Sequence, residues 1–484
     1  MRLAVVGSGY VGLVSGACLA DIGHDVICID SDPRKIEILL AGGVPIFEPG
    51  LEQIIAANRN AGRLTFSGNL RQSLRDVRAV FLAVGTPSRD HDGCPDLAGL
   101  YDAARDMALA IEPDTVVVVK STVPVGTGDE IECILREAGA DESIAVVSNP
   151  EFLRAGAAVR DFLRPDRIVI GAQDRSGREV MTKIYQPLSR AGVPVVHTSR
   201  RSSELIKYGS NTLLATKIAF INELADLCEH AEADITDVAR GMGLDSRIGP
   251  AFLNAGPGFG GSCFRKDALA LVRMGEQHQA SMRVAEAVLA SNEARKRSTV
   301  RRISAATGKP LRGCAIGVLG LTFKPNTDDM RESPSIPLIC GLIDAGAAVR
   351  VYDPSGHAGA QRVLPGDVIY AKSPYAAATD AEALVVITEW DQFRNLDLDR
   401  LKRLMAEPVI VDMRNIFRPE DLRSRGFRYH RIGAAPHAPE APRLHALPRD
   451  ARRGLERSSN GSAIVLDERK RRSRAELKAA SPAS

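Results

Sequence analysis

Two glycine-rich segments hold residues whose types and spacing could do chemistry. In Gly256-Pro-Gly-Phe-Gly-Gly-Ser-Cys-Phe-Arg-Lys-Asp267, the glycines at 256, 258, 260 and 261 let backbone approach a ligand closely, and Cys263 follows near the start of a helical stretch. Helix N-terminal amides and Lys266 would lower the thiol pKa and favour a nucleophilic thiolate. Asp267 lies one turn on, on the same face, where it could order a water or hold a lysine. The second segment, Gly7-Ser-Gly-Tyr-Val-Gly12, directly follows an apolar run and opens a helix. Its glycines allow a tight turn that seats a pyrophosphate on the helix N-terminus. Asp30 ends the next apolar run, placed to accept from a ribose 2′-hydroxyl and to repel a 2′-phosphate, which favours NAD over NADP. Lys35 is close enough in sequence to reach the ribose or phosphates. A thiol beside NAD has a specific use. Thiolate attack on an aldehyde gives a thiohemiacetal, hydride loss gives a thioester, and water releases the acid.

The remaining cysteines are Cys18, Cys28, Cys94, Cys133, Cys228, Cys314 and Cys340. None lies in a CxxC pair and no Cys/His spacing matches zinc, so no metal is expected. No secretory signal pattern follows Met1. The expected location is therefore cytoplasmic, with free thiols that are mostly small buried hydrophobes.

These residues need elements to position them. Arg2–Val6, Asp25–Ile29, Ala79–Val84, Thr115–Val119, Ile144–Val147, Ile168–Ile170 and Val193–Val196 read as buried strands separated by helix-length segments. That alternation predicts βαβ units and a parallel sheet covered on both faces. From Ser202 to Glu232 no Pro and only Gly209 interrupt the chain, which predicts one long helix, useful as a spine or subunit interface. Helices are expected over Ile235–Met242, Lys266–Glu276 and Met282–Ala305. A second βαβ series follows, with strands at Cys314–Leu319, Ala348–Tyr352, Ala383–Ile387 and Val409–Val411. It has Gly317 and Gly320 but no GxGxxG, so no second dinucleotide is expected there. The fold class is α/β: two Rossmann-like doubly wound domains, 1–200 and 307–432, joined by a long central helix and a helical middle domain, 201–306.

The chain has 484 residues, 44% hydrophobic and 25% charged, with a formal net charge of +3. That charge is too small to imply nucleic acid, and no apolar run approaches the roughly 20 residues that span a bilayer. The segment 433–484 carries 11 Lys/Arg against 6 Asp/Glu and no aromatic residue. It reads as a disordered basic tail, whose run Arg469–Arg474 could touch an anionic surface or acidic partner.

With these segments in hand, the chain closely resembles the UDP-glucose/GDP-mannose dehydrogenase family. The blocks stand in family order: Gly7–Gly12, Phe47-Glu-Pro-Gly-Leu51, Val84-Gly-Thr-Pro87, Ser121-Thr-Val-Pro124, Asn149-Pro-Glu-Phe-Leu153, Glu204-Leu-Ile-Lys-Tyr208, Gly260-Gly-Ser-Cys263, Phe323-Lys-Pro-Asn-Thr-Asp328, Arg331-Glu-Ser-Pro334 and Asp412-Met-Arg414. The resemblance implies a two-step, four-electron oxidation of the UDP-glucose C6 alcohol to a carboxylate, using two NAD. It implies Cys263 as nucleophile and Lys207 with Asn211 as oxyanion-stabilising groups. Asp267 would position water or act as base, and Thr122 and Glu151 would hold the catalytic water. It assigns Gly7, Gly9, Tyr10, Val11, Gly12, Asp30, Lys35, Val84, Thr86, Ser121, Thr122, Cys263, Lys266 and Arg331 to the cofactor. Glu151, Phe152, Leu153, Lys207 and Asn211 would lie beside the sugar. Ile218, Phe252, Leu253, Asn254, Gly258 and Phe264 would form the nucleotide pocket, with Lys324 and Arg414 as cationic contacts. Arg247 matches an arginine that reaches a neighbouring subunit's site, so the active unit is expected to be a homodimer or higher oligomer.

Two positions depart from the family pattern. Ala155 stands where a glutamate is common, and Arg265 where a proline is common; both are expected to tune the site, not abolish it. GDP-mannose oxidation is the alternative within the family, and the Phe323–Asp328 stretch favours UDP-glucose over it. Ser262, in place of a histidine, argues against a UDP-N-acetylmannosamine enzyme. A non-catalytic NAD or nucleotide-sugar binding protein is the reading from another class. The joint presence of Cys263, Lys207 and Asp267 counts against it.

Overall fold

Strands buried on both faces need no polar alternation, and in residues 1–89 and 93–435, which this computed structural model describes, the apolar runs form two sheets. The first has eight strands in the order Leu64–Ser67, Asp25–Ile29, Arg2–Val6, Ala79–Leu82, Val116–Val119, Ala145–Ser148, Ile168–Ala172 and Val195–Thr198. Val6 pairs with Ile29 on one side and Leu82 on the other. Strand order therefore reverses at Arg2–Val6, and the crevice this leaves at the carboxyl ends is where such sheets bind ligands. Alternate residues feed opposite cores. Leu3 and Val5 join one apolar cluster, Ala4 and Val6 another.

The second sheet has six parallel strands: Ile369–Tyr370, Ala348–Tyr352, Ala315–Leu319, Ala383–Val386, Val409–Asp412 and Arg428–Arg431. Val385 and Val411 face one core, Leu384 and Ile410 the other.

Between the sheets runs the central helix, Arg200–His230, about 46 Å long at 1.5 Å per residue. The Ser199 hydroxyl caps it by accepting from Ser202 N–H (3.2 Å), so it begins two residues before the predicted start. Its buried face, including Glu204, Lys207, Tyr208, Asn211 and Asn222, packs on Phe264–Gln277 and Arg283–Thr307.

The structure corrects three expectations. The first sheet is not wholly parallel: Ala145–Ser148 and Ile168–Ala172 run antiparallel. Three strands are unpredicted, at Leu64–Ser67, Ile369–Tyr370 and Arg428–Arg431. All lie at sheet edges, where one flank meets solvent and polar residues such as Thr65 and Arg428 break the apolar run. Finally, the chain does not leave the fold at Gly433. Gly433 N–H donates to Glu229 (2.8 Å), its carbonyl accepts from Ile235 N–H (2.8 Å), and Ala434 bridges Asp234. With φ near +73°, Gly433 sits so close that a Cβ would meet Ile235 at 2.2 Å. The rest of the expected tail, from 436, lies outside the described residues.

Four cysteines (Cys18, Cys28, Cys228 and Cys314) are buried, and none of the eight is in a disulfide. Burial pushes the Cys18 and Cys28 thiols up to about 12. Among the described residues no group of three His, Cys, Asp or Glu could hold a metal, and no helix is long and apolar enough to cross a membrane.

Candidate active site

The strand-to-helix turn at Gly7 closes on itself. Gly7 has φ near +96°, and a Cβ at Gly12 would sit 1.7 Å from the Gly7 carbonyl oxygen. A Cβ at Gly9 would meet nothing within 4 Å, so that side of the loop is open. Helix Tyr10–Asp21 starts without a side-chain cap, leaving its first amides for an anion. The buried Asp30 carboxylate accepts from Ser8 N–H (2.7 Å) and Asp32 N–H (2.9 Å), with Lys35 Nζ at 3.2 Å. This open, uncapped loop with an acid at its rim fits a dinucleotide. In the second sheet the corresponding acid, Asp353, is consumed by protein donors: Leu321, Ser355 and Gly356 N–H and the Trp390 indole.

Loops at the ends of Ala79–Leu82 and Val116–Val119 adjoin the first turn. The Ser121 hydroxyl donates to Val84 O (2.6 Å), and the Thr86 hydroxyl to Thr122 O (2.9 Å). Val11 packs against the sheet core. The Tyr10 hydroxyl turns away to Glu48, whose carboxylate also accepts from Gly156 and Ala158 N–H (2.7 Å each). The first turn is thus tied to the loop that carries Leu153 and Ala155.

Cys263 caps helix Phe264–Gln277 and stays solvent-accessible. Its carbonyl accepts from Asp267 N–H (2.8 Å), and the Ser262 hydroxyl lies 3.7 Å from its sulfur. Across from it, the buried Lys207 Nζ donates to Glu151 O (2.7 Å) and to its carboxylate (2.9 Å). Asn211, one turn along, donates to Asp267 (2.6 Å), which also pairs with Lys266 (2.8 Å).

The electrostatics overturn one expectation. The thiol is pushed up, not down. Desolvation by the surrounding walls is the largest cause; Lys207 pulls the other way, and Glu151 and Asp267 push up again. Lys266 cannot serve as the thiolate's partner, because Asp267 already holds it. Burial opposes the charge on Lys207, yet the Glu151 and Asp267 carboxylates and the Cys263 sulfur prevail and raise it. Burial likewise opposes ionisation of Glu151, but Lys207 prevails and lowers it. The pair is therefore ionised: a fixed ammonium beside the thiol.

The Cys263 loop is held from three sides. Asn222 accepts from Gly256 N–H (2.8 Å), Asn292 accepts from Phe259 N–H (2.8 Å), and Arg295 donates to Gly256 O (2.9 Å). Arg331 O accepts from Gly261 N–H (2.9 Å), and a Cβ at Gly260 would strike the Glu332 carbonyl at 2.5 Å. This brings Arg331 and the second sheet's Phe323–Asp328 loop to the thiol. The Arg331 guanidinium pairs with Asp329 (2.8 Å). Arg265 is turned toward Glu293 and Glu332 (3.8 and 3.7 Å), which absorb its extra charge.

The other predicted residues divide. Phe152 lies under the Arg167 guanidinium (3.6 Å) and Leu153 N–H donates to Glu151. Ile218, Phe259 and Phe264 form one apolar cluster, with Phe252 edge-on to Phe264. Gly258, at φ near +114°, lies against Asn292. Arg414 extends over Gly256 and pairs with Glu389 (3.0 Å). Lys324 is lowered by burial and by Arg154. The Leu253 side chain is buried in the second sheet's core, while Asn254 is exposed. Arg247 is not brought to this site; its side chain is 88% exposed and pairs with Asp245.

Sequence reasoning missed Glu204 as a structural anchor. Its carboxylate accepts from Gly126 N–H (2.7 Å), Gly128 N–H (2.8 Å) and Ser148 Oγ (3.0 Å). It ties the Thr122 loop to the helix bearing Lys207, and all three residues line one cavity with Ser121, Ser148 and Pro150. An acid one turn before a lysine on a buried helix face was the available signal. Asn222, Asn292 and Arg295 gave none, since loop anchors on helices show no local pattern.

The chain is 55% identical over 435 residues to UDP-glucose 6-dehydrogenase of Rhizobium meliloti (strain 1021), covering 90% of this chain and 99% of the relative. It is 44% identical to UDP-glucose 6-dehydrogenase of Rickettsia bellii, covering 90% of this chain and 100% of the relative. Among solved structures it resembles a UDP-glucose dehydrogenase from the hyperthermophilic archaeon Pyrobaculum islandicum, with a TM-score of 0.83, 39% identity, and coverage of 90% of this chain and 98% of that one. Two doubly wound sheets meeting at one thiol place the protein in the class of dinucleotide-dependent two-domain dehydrogenases. More narrowly, it belongs to the UDP-glucose/GDP-mannose dehydrogenase family: residues 1–189 match that family's NAD binding domain, 201–294 its central domain and 317–419 its UDP binding domain.

Proposed function

We propose that this chain oxidises the C6 alcohol of UDP-glucose to the carboxylate of UDP-glucuronate in two steps, with two NAD as acceptors. The observation that carries the reading is the accessible Cys263 thiol facing the ionised Lys207–Glu151 pair and the Asn211–Asp267 pair at the carboxyl edge of the NAD-binding sheet. Bound NAD supplies the hydride acceptor. The chain's residues supply charge and proton control.

The C6 alcohol first gives its hydroxyl proton to a carboxylate and loses a hydride, becoming the aldehyde. Cys263 then attacks that aldehyde, and the Lys207 ammonium and Asn211 amide stabilise the oxyanion of the thiohemiacetal. Loss of hydride from that adduct leaves a thioester. Water then adds to the thioester carbon and the thiol departs with a proton, giving the acid. Asp267 and Glu151 are the carboxylates placed to take protons in these steps, and Thr122 shares a cavity with Lys207 where a water can be held. Lys324 and Arg414 meet the diphosphate side of the substrate, where charge-assisted donors are needed.

The active unit is a homodimer or larger. Leu205, Leu213, Phe220 and Leu227 form a stripe on the central helix at 47%, 63%, 51% and 60% exposure, spaced for a facing helix. Docking there would let Arg247 reach its neighbour's site. The expected location is cytoplasmic.

The test gives purified protein excess NAD with limiting UDP-glucose or GDP-mannose. Two NADH per UDP-glucose and none from GDP-mannose is the expected result. The reverse would keep the chemistry and change the substrate.

A further inference from the structure

Lys120 follows the wholly apolar strand Val116–Val119 and is buried inside the first domain. Its Nζ donates to Asn149 Oδ1 (3.0 Å) and to the Tyr185 hydroxyl (3.3 Å). The faces of Phe162 and Tyr185 lie 5.8 Å away. Both hydrogen-bonding partners are neutral. The Tyr185 hydroxyl also donates to Asn149 Oδ1 (2.6 Å), and the Asn149 amide donates to Val169 O (2.7 Å). Asn149 stands two residues before Glu151. Lys120 therefore grips the strand end from which Glu151 reaches Lys207.

We infer that Lys120 is a positioning residue of the oxidation, holding Asn149–Glu151 in place and supplying the second positive charge that offsets the Glu151 carboxylate. The inference rests on the dehydrogenase reading above.

The arrangement is two buried lysines around one carboxylate. Lys120 is pulled down to about 8, chiefly by burial; Glu151 acts to raise it and Lys207 to lower it. The groups facing it are the Tyr185 hydroxyl, Glu151 and Lys207, and the cavity it lines also includes Asp161 and Arg167. Asp161 is held by Arg154 (2.6 Å) and Arg167 lies over Phe152. Below about pH 8 the trio carries one net positive charge; above it, Lys120 is neutral and the trio is balanced. Oxyanions formed at Cys263 lose that excess charge as pH rises through this range.

The test compares full-length wild type, Lys120→Met and Lys120→Arg with NAD and UDP-glucose from about pH 6 to about pH 10. Near neutral pH, Lys120→Met should lower kcat about tenfold with KM within about twofold, and its profile should lack the fall that wild type shows near pH 8. Lys120→Arg should restore most of kcat and move the fall to higher pH, because a guanidinium stays charged. Equal losses in both variants with unchanged profile shapes would overturn the inference, as would wild-type kinetics in Lys120→Met. A second readout needs neither substrate nor cofactor: alkylation of Cys263 by iodoacetamide. Removing Lys120 leaves the Glu151 field on the thiol less offset, so Lys120→Met should react more slowly than wild type near neutral pH, and Lys120→Arg should not. Equal rates would overturn the positioning role even if UDP-glucose proved to be the wrong substrate, which wild type alone would reveal.

Discussion

The Asn211 side chain donates to Asp267 across 2.6 Å, joining the central helix to the helix that Cys263 caps. Because Asp267 also holds Lys266, the amide fixes the one carboxylate whose helix begins at the thiol. Asn211→Ala should therefore lower kcat about 100-fold, the scale of losing one preorganised donor, with a smaller change in KM for UDP-glucose. Steady-state kinetics at saturating NAD measure this.

Lys207 and Glu151 form a buried ion pair, 4% and 7% exposed at their side chains. Removing one partner strands the other charge. Lys207→Ala should destabilise the protein by about 3–5 kcal/mol, and adding Glu151→Gln to that variant should recover part of the loss. Denaturant unfolding of the single and double variants checks both signs. Equal stability in all three proteins would contradict an ionised pair.

Much of this site was legible in the sequence where chemistry is local. The Gly7–Gly12 turn and the Cys263 loop announce themselves because a backbone that closes tightly must be glycine there. Asp30 is visible because it ends a strand beside that turn. Lys207 and Asn211 sit on a helix face like any other, and only the family register singled them out. Glu204, Glu48 and Lys120 were missed because each acts on a backbone or side chain distant in sequence. The thiol's direction was misjudged for a related reason: Lys266 is its neighbour in sequence, but Asp267 claims it, and the lysine that acts on the sulfur comes from another helix.

That reversal has a pH signature. The thiol is raised, with desolvation the largest cause and Lys207 opposing it. A raised thiol means little thiolate in the unliganded protein at neutral pH, so alkylation of Cys263 should still be accelerating at the ordinary thiol value of 9.0. Lys207→Met removes the opposing charge and should move the alkylation profile further upward. Iodoacetamide rates against pH, read by peptide mass at Cys263, decide it. A profile complete near neutral pH would contradict the account.

Phe220 stands in the middle of the exposed stripe on the central helix at 51% exposure. A charge there opposes burial of that face. Phe220→Asp should shift the protein toward monomer in sedimentation velocity while leaving its far-ultraviolet circular dichroism unchanged. If Arg247 completes the neighbour's site, kcat/KM should fall with the monomer fraction. A Phe220→Asp protein that remains fully associated would remove the stripe as the interface.

The central claim is that the second oxidation passes through a covalent adduct on Cys263. Wild type quenched in acid during turnover with NAD and UDP-glucose should carry a sugar-nucleotide acyl mass on the Cys263 peptide, and Cys263→Ala should carry none. That variant should also fail to form the second NADH per sugar. A Cys263→Ala protein that still delivers two NADH per UDP-glucose at the wild-type rate, with no adduct on the wild-type peptide, would contradict the account.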